Sequence, residues 1–388
     1  MNLGIYHVGT GFRDAGGKAV YNRKISIALA EEHDVTLYTG TPVKDRLKQS
    51  DVNVVPLDDW FGHPLHKRVA SRPYRLNSVL SFLKLKRDGA APAPDYIDVI
   101  VTHKWYDDLV ISRATSTPVV YQRHGYRGSG IGGKARGVLS TTDHHIANSA
   151  STKRQIEHET GYSIDGVVRP GVDPKLFNPD IPPAFETSKP TIAFVGRVEP
   201  IKGIHVLIDA FESIADRAEL RIVGDGQARS EAEQQVRSLG IEDAVIFEGV
   251  VPNEELAGYY TGSDIVCHPS RYEGFGMTNF EAMASGATLV TTPFGVADEV
   301  ADAERTHVSV EPESPNDLAA VLERLLDDAA RRDRLGREAR DLAKNQTWAD
   351  RASKLVCLCH QFLDSDGSSI SHETSSDTAG STAEAPRE

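Results

Sequence analysis

Residues 271–286 read RYEGFGMTNFEAMASG and hold two glutamates, Glu273 and Glu281, on either side of a glycine-bounded turn. Residues 264–268 (DIVCH) have the composition of a short buried strand, and residues 279–285 have that of a helix. A strand that passes through a glycine turn into a helix is the repeating unit of α/β proteins. The stretch therefore predicts an α/β fold with this turn at the edge of a sheet.

The two glycines of the turn, Gly274 and Gly276, lie where the strand gives way to the helix. A helix start presents free N–H groups and the positive end of the helix dipole, and glycines let an anion approach closely. This arrangement predicts a phosphate site. A capping box is the alternative, since in Thr278-Asn279-Phe280-Glu281 the carboxylate could instead accept from N–H groups at the helix start.

Length and composition limit the classes of protein. A chain of 388 residues with 39% hydrophobic residues is long enough for two domains, at about 150 residues each. No apolar run reaches about 18 residues, so we expect a cytoplasmic protein without a membrane span. The net charge of -13 argues against a nucleic-acid partner. Cys267, Cys357 and Cys359 have no zinc-site spacing and form no disulfide framework.

The N-terminal segment predicts the start of a parallel sheet. Residues 3–8 read as a strand, residues 19–32 as an amphipathic helix and residues 34–39 as a second strand. Gly16 and Gly17 directly precede the helix, where the backbone could approach a ligand phosphate, although a flexible loop would have the same composition.

Two further strands, at residues 96–102 and 118–122, are followed by His103 and His124. Ligands of open parallel sheets bind beyond the carboxyl ends of the strands. His124 is therefore our first choice for a functional histidine and His103 the second, although a single histidine is more often structural.

Residues 65–88 carry seven Lys or Arg residues and one acidic residue, interleaved with Leu, Val and Phe. A basic amphipathic segment of this kind can lie on an anionic membrane surface. A solvated helix face has the same pattern, so a peripheral membrane contact is one of two hypotheses for this segment.

A second α/β series begins after a proline-rich stretch. We predict an N-terminal Rossmann-like domain at residues 1–170, a linker at 171–190 and a C-terminal Rossmann-like domain at 191–346. A helix at 347–363 and a polar, acidic, disordered tail at 364–388 complete the chain. Two such domains imply a cleft between them, which is the usual place for a ligand.

The segments GRVEPIKG, IVGDG, FEGVV, SDIVCHPSRYEGFGMTNFEAMASG and PFGVADE occur in this order between residues 196 and 299. Together they resemble the donor domain of the retaining glycosyltransferases of family four, which have the GT-B fold. The N-terminal half resembles the same family through Gly16-Gly17, the strands that end at His103 and His124, and RPGVDPKLFNP. The resemblance covers nearly the whole chain before the tail.

The resemblance implies a nucleotide-sugar donor, UDP- or GDP-linked, whose diphosphate leaves as the glycosidic bond breaks. Arg197 and Lys202 match the cationic pair that binds this diphosphate, and two cations on one loop can neutralise charge that grows in the transition state. The N–H groups of Met277 and Thr278 would add the helix start. No divalent metal and no other cofactor would be required.

The remaining donor-site positions follow from the same resemblance. Glu281 matches the glutamate that binds the ribose hydroxyls, and Glu273 matches the one near the hydroxyls of the transferred sugar. Val251 lies where the main chain holds the base, and His124 lies beside the donor sugar. The residues expected to bind the donor are Gly16, Gly17, Arg197, Lys202, Val251, Glu273, Gly274, Phe275, Gly276, Met277, Thr278 and Glu281, and those expected to act in catalysis are His124, Glu273, Arg197 and Lys202.

The chain departs from the family pattern at two positions. Val101 stands where many members have a histidine, which leaves the acceptor side open. Gly295-Val296 stands where they have Gly-Gly, and because valine disfavours positive φ, a backbone contact to the sugar is in question.

The sequence therefore predicts a retaining, metal-independent glycosyltransferase that acts on a lipid-linked, glycan or small-molecule acceptor, in the cytoplasm or at the inner face of the cell membrane. The alternatives are a nucleotide-sugar epimerase or a phosphorylase of the same fold, and a non-catalytic binding subunit docked on a membrane by residues 65–88.

Overall fold

The fold was analysed in a computed structural model. It describes residues 1–7, 10, 16–40, 43, 45–57, 95–104, 107–108, 111–125, 142 and 144–373. The basic segment at 65–88 and residues 374–388 of the predicted tail lie outside the described residues.

Within these ranges the N-terminal half forms a seven-stranded sheet in which every pairing is parallel. Its strands are β1 (Asn2–Tyr6), β2 (Asp34–Gly40), β3 (Asn53–Leu57), β4 (Val99–Thr102), β5 (Val119–Arg123), β6 (His144–Ala147) and β7 (Gly166–Val167). The spatial order β3-β2-β1-β4-β5-β6-β7 reverses direction between β1 and β4. Such a switch point opens a crevice at the carboxyl ends of the strands.

The C-terminal half repeats this plan with six parallel strands in the order β10-β9-β8-β11-β12-β13. They are β8 (Thr191–Val195), β9 (Glu219–Val223), β10 (Val245–Gly249), β11 (Ile265–His268), β12 (Thr288–Thr291) and β13 (Val308–Ser309). Here the switch point lies between β8 and β11, so the turn after β11 stands beside a crevice. The prediction of two parallel-sheet domains with the GT-B architecture is confirmed.

The helices that connect and flank the described strands are α1 (Gly17–Ala30), α2 (Asp45–Lys48), α3 (Ala150–Thr160), α4 (Ile204–Glu212), α5 (Arg229–Leu239), α6 (Leu256–Thr261), α7 (Met277–Ala284), α8 (Val296–Glu299), α9 (Pro315–Asp327), α10 (Ala329–Ala343) and α11 (Trp348–Glu373). Short 3-10 turns occur at Pro200–Lys202 and Glu242–Ala244. None of the helices in the described part of the chain is both long and apolar enough to span a bilayer. The last helix runs on past its predicted end at Leu363, so the boundary predicted there is wrong.

Each sheet has its own hydrophobic core, and the last helix joins the first of them. Trp348, Leu355 and Phe362 of α11 are buried in the same cluster as Leu3 of β1 and Ile25 of α1. The helix therefore returns from the C-terminal half to cover the N-terminal sheet.

The chain crosses between the two halves twice, and the two crossings touch. The Val172 N–H donates to the Gln346 carbonyl at 2.9 Å. A Cβ atom on Gly171 would lie 2.6 Å from the backbone nitrogen of Trp348, so only glycine allows this approach.

Candidate active site

The carboxyl ends of both sheets face a cavity of about 550 Å³. The N-terminal half contributes the start of α1 and the segment after β5, and the C-terminal half contributes the ends of β8 and β9 and the segments after β10 and β11. The switch points of the two sheets thus open into one space, which has the size of a small-molecule site.

The structure brings every residue that the sequence predicted for donor binding and catalysis into the lining of this cavity, whereas His103, the second choice for a functional histidine, is not part of the lining. The predicted residues that line it are Gly16, Gly17, His124, Arg197, Lys202, Val251, Glu273, Gly274, Phe275, Gly276, Met277, Thr278 and Glu281. They come from sequence positions far apart, so their convergence is a property of the fold. Their individual roles remain predictions.

The turn between β11 and α7 differs from the prediction in where the helix begins. Gly276 is the N-cap residue, with φ of 81° and no side-chain cap, so the helix starts at Met277 and Thr278 lies inside its first turn. The capping-box alternative is therefore wrong. The Glu281 side chain accepts instead from the Tyr260 hydroxyl at 3.2 Å.

The Gly295-Val296 pair adopts a backbone conformation that valine can take at its second position, and a contact of this backbone with the sugar stays a prediction. Positive φ falls on Gly295, at 63°, while Val296 is helical and buried. The Val296 N–H donates to the Phe275 carbonyl at 2.7 Å. A Cβ on Gly295 would lie 2.3 Å from the same carbonyl oxygen, so the first glycine is the one that the turn requires.

Glu281 is the most buried carboxylate of the cavity wall that could meet a ligand hydroxyl, with 8% of its surface exposed. Burial raises its pKa to about 7, while hydrogen bonds from Tyr260 and Asn253 and the charge of Lys24 act in the opposite direction. The side chain therefore changes its charge in the neutral pH range.

Lys202 and Glu273 form an ion pair across the cavity wall, and Ser270 Oγ donates to the same carboxylate oxygen at 2.9 Å. Arg197 forms an ion pair with Glu199. The two predicted cations thus stand next to acidic side chains, which fix their positions, and both still face the cavity.

A buried polar network that the sequence analysis missed supports the turn from below. The Val195 N–H donates to His268 Nε2 at 3.1 Å, so His268 carries its proton on Nδ1 and donates to Asn279 Oδ1. Asn279 Nδ2 donates to Thr291 Oγ1 at 3.0 Å. Burial lowers the pKa of His268 to about 4, so the ring is neutral.

The two predicted histidines of the N-terminal half touch each other. His103 Nδ1 lies 2.9 Å from His124 Nε2, and the Tyr21 ring stands edge-on to His124 with centroids 4.8 Å apart. His124 lines the cavity, whereas His103 is buried behind it. Burial lowers the pKa of both rings, that of His103 to about 3, so both are neutral at physiological pH.

Several lining residues were not predicted from the sequence, among them Lys18, Asn148, Asp225, Asn253 and Tyr272. Lys18 directly follows the double glycine, Asp225 lies within IVGDG and Tyr272 directly precedes Glu273, so proximity to a predicted motif was a usable signal for these three. Asn148 and Asn253 carry no comparable signal. Among the residues that the structure describes, no group of three or more His, Cys, Asp or Glu side chains is placed to hold a metal ion.

Two Rossmann-like halves with a shared cavity at their carboxyl edges define the GT-B class of glycosyltransferases. Residues 15–176 match the family model described as Glycosyltransferase Family 4, and residues 180–342 match the one described as Glycosyl transferases group 1. The chain belongs to the family-four glycosyltransferases and is an enzyme of that type.

Similar curated proteins include the D-inositol 3-phosphate glycosyltransferase of Thermomonospora curvata, which is 28% identical over 400 residues, covering 90% of both chains. That of Corynebacterium kroppenstedtii is 36% identical over 241 residues, covering 56% of this chain and 53% of the relative.

Similar solved structures include sucrose-phosphate synthase from Thermosynechococcus elongatus, with a TM-score of 0.78 and 22% identity over 94% of this chain and 99% of that chain. Anabaena HepE in complex with UDP-glucose has a TM-score of 0.73 and 18% identity, over 94% of this chain and 100% of that one.

Proposed function

We propose that this protein is a retaining, metal-independent glycosyltransferase that takes a sugar from a nucleotide-sugar donor and transfers it to a hydroxyl of a small-molecule acceptor. The observation that carries the proposal is the convergence of Arg197, Lys202, the start of α7 and the buried Glu281 on one cavity. A diphosphate, a ribose and a sugar are the three groups that such a set of side chains can bind together.

The diphosphate is the group on which negative charge grows as the glycosidic bond breaks. Arg197 and Lys202 would supply two cations there, and the N–H groups at the start of α7 would supply hydrogen bonds and the helix dipole. These groups, called here the cationic wall, would neutralise the diphosphate charge that a metal ion neutralises in other phosphate sites. This is the basis for proposing metal independence.

The carboxylates would bind hydroxyl groups. The buried Glu281 would accept from the two ribose hydroxyls, with Tyr260 donating to its Oε2. Glu273, fixed by Lys202 and Ser270, would accept from hydroxyls of the transferred sugar, and His124 would contact that sugar from the opposite half. Val251 would hold the base through its main chain.

The known proteins support the choice of donor and acceptor to test first. HepE was solved with UDP-glucose, so a UDP-sugar is the first donor. The names of the inositol 3-phosphate enzymes and of sucrose-phosphate synthase point to phosphorylated small molecules with free hydroxyls as acceptors. A lipid-linked acceptor is the second choice, together with contact to the inner face of the cell membrane.

The test is a panel of UDP- and GDP-sugars in EDTA, with phosphorylated polyols, sugar phosphates or a lipid extract as acceptor, followed by release of nucleoside diphosphate. We expect acceptor-dependent release without added metal, and a product whose anomeric configuration by NMR equals that of the donor. Conversion of donor without acceptor would instead identify an epimerase, and a requirement for inorganic phosphate a phosphorylase.

Lys202→Met should reduce turnover at least about a hundredfold, because it removes the cation that neutralises the growing negative charge of the leaving diphosphate. Lys189→Met, on the surface near the start of β8, is the matched control and should leave turnover unchanged. Equal turnover in both variants would refute the proposed role of the cationic wall, and no nucleotide release with any donor would refute the proposed function.

A further inference from the structure

Helix α3 of the N-terminal half meets the C-terminal half with its first turn. The Ser151 N–H donates to Glu299 Oε1 at 2.5 Å, and Arg169 Nε donates to Glu299 Oε2 at 3.0 Å. The Glu299 side chain is fully buried. A buried carboxylate is stable only where its oxygens are paired, and both oxygens of Glu299 are paired with groups of the other half.

Contacts next to Glu299 join the same two halves of the protein. Arg154 forms an ion pair with Asp298 at 2.5 Å. The Tyr272 hydroxyl donates to Gln155 Oε1 at 3.0 Å, and Thr152 Oγ1 lies 3.5 Å from the Gly274 carbonyl oxygen. One face of α3 therefore contacts both α8 and the turn that precedes α7.

Helix α8 is joined to this turn, because the Val296 N–H donates to the Phe275 carbonyl at 2.7 Å. At Gly274 the turn passes so close to the His124 carbonyl that an added Cβ would lie 2.9 Å from its oxygen. The contacts of α8 with α3 are thus linked, through this turn, to the place where His124 and Glu273 face each other across the cavity.

We propose that Glu299 is a positioning residue: by accepting from the Ser151 N–H and Arg169 across the cleft, it holds the donor-side turn against the N-terminal sheet. This inference rests on the proposed function, since it assigns to Glu299 the correct spacing between the N-terminal and C-terminal walls of that site. The residue does not line the cavity and does not touch the reacting atoms.

The proposal predicts a separation between binding and turnover. The charged side chains proposed for the diphosphate and the ribose all lie in the C-terminal half, and only the backbone of Gly16 and Gly17 approaches from the other half. Nucleoside diphosphate should therefore bind to Glu299→Gln within about threefold of its original affinity. Turnover needs both walls, and a displacement of about 1 Å in an active site can reduce a rate about a hundredfold. We therefore expect kcat of Glu299→Gln and Glu299→Ala to fall by about that factor.

The distance between the two halves can be measured with a pair of spin labels. In a Cys357→Ser background, Glu31→Cys and Asp243→Cys place labels on exposed positions of the two halves, while Cys267 and Cys359 are buried. With UDP bound, the protein that retains Glu299 should give one narrow distance distribution, and the Glu299→Gln variant a broader one shifted to longer distances.

Matched variants separate this role from a loss of folding. Arg169→Met should reproduce the effect of Glu299→Gln, and the double variant should be no slower than either single one, because both remove one interaction. Asp298→Asn, which breaks the exposed neighbouring pair, should stay within twofold in kcat. If Glu299→Ala does not fold, the isosteric Glu299→Gln still decides the question.

An active Glu299→Gln variant with unchanged kcat and an unchanged distance distribution would overturn the proposal while leaving the proposed function intact. A parent protein that turns over no donor at all would instead refute the proposed function. Loss of nucleotide affinity together with kcat would assign Glu299 to the fold of the donor half and would also overturn the proposal.

Discussion

At the scale of single residues, the site is defined by how deeply its charged groups are buried. Glu281 shows this best, because the same carboxyl on a protein surface would be ionised throughout the neutral range. Burial against α6 raises its pKa to about 7, although the hydrogen bond from Tyr260 acts to lower it. Ionisation of Glu281 should therefore be linked to nucleotide binding.

The affinity for the nucleoside of the preferred donor should fall about tenfold as the pH decreases from 8 to 6. The sign follows from the raised pKa of about 7, since below it the free protein is protonated at Glu281, and only the ionised carboxylate has all its oxygen lone pairs available to both ribose hydroxyls. Calorimetric titration with the nucleoside, which lacks the titrating phosphate, measures this.

Glu281→Gln is the control for this pH dependence. It should bind more weakly at pH 8 and show a flat profile. A flat profile in the protein that retains Glu281 would contradict the link between its ionisation and the ribose.

The sequence predicted which residues approach the ligand, and it did so because those residues lie in short motifs with demanding chemistry. It did not predict Asn253 or Tyr260, although both bear on the ionisation of Glu281. Their contacts are made across loops and helices, so nothing in the neighbouring residues indicates them.

At the scale of elements, α7 is the part of the structure on which the site depends. Its start was predicted too late, because a helix that begins after a glycine in the left-handed conformation has no side-chain cap to reveal it. The preceding strand and the turn were predicted well, since buried apolar runs and closely spaced glycines are strong local signals.

The network of His268, Asn279 and Thr291 ties α7 to β11 and β12. Asn279→Ala would leave the buried His268 Nδ1–H without its acceptor, and we expect the free energy of unfolding to fall by about 1–3 kcal/mol. Urea unfolding measures the change.

Asn178→Ala is the matched control, because Asn178 donates its side-chain hydrogen bond at the surface, and a change within about 0.5 kcal/mol is expected there. Equal effects at the two asparagines would show that the network does not stabilise α7.

At the scale of the whole molecule, the arrangement of two facing sheets follows from the repeated α/β pattern and the break between its halves. The side-chain contacts that fix the two halves against each other could not be predicted. Glu299 meets Ser151 and Arg169 over more than 120 residues of chain, and such pairings arise only once both halves have folded.

The last helix should be dispensable beyond its buried part. Deletion of residues 365–388 should leave activity and the unfolding midpoint unchanged, since the buried contacts described for α11 end at Phe362.

Leu355→Ala should reduce the free energy of unfolding by about 2–5 kcal/mol, because it opens a cavity in the first core. Thermal unfolding measures the stability of the substituted and of the shortened protein, and a turnover assay measures the activity of the shortened one.

Cys357→Ala, on the exposed side of the same helix, is the control for Leu355→Ala and should leave stability unchanged. Loss of activity in the shortened chain would show that the segment after Ser365 contributes to function.

The return of α11 to the first core also determines the order in which a newly made chain can fold. The strands of the second sheet all precede Trp348 in the chain, so this half can form its sheet while synthesis continues. The N-terminal core, although its strands are made first, lacks the buried side chains of Leu355 and Phe362 until α11 has been made. The half that is translated first is therefore the half that is finished last.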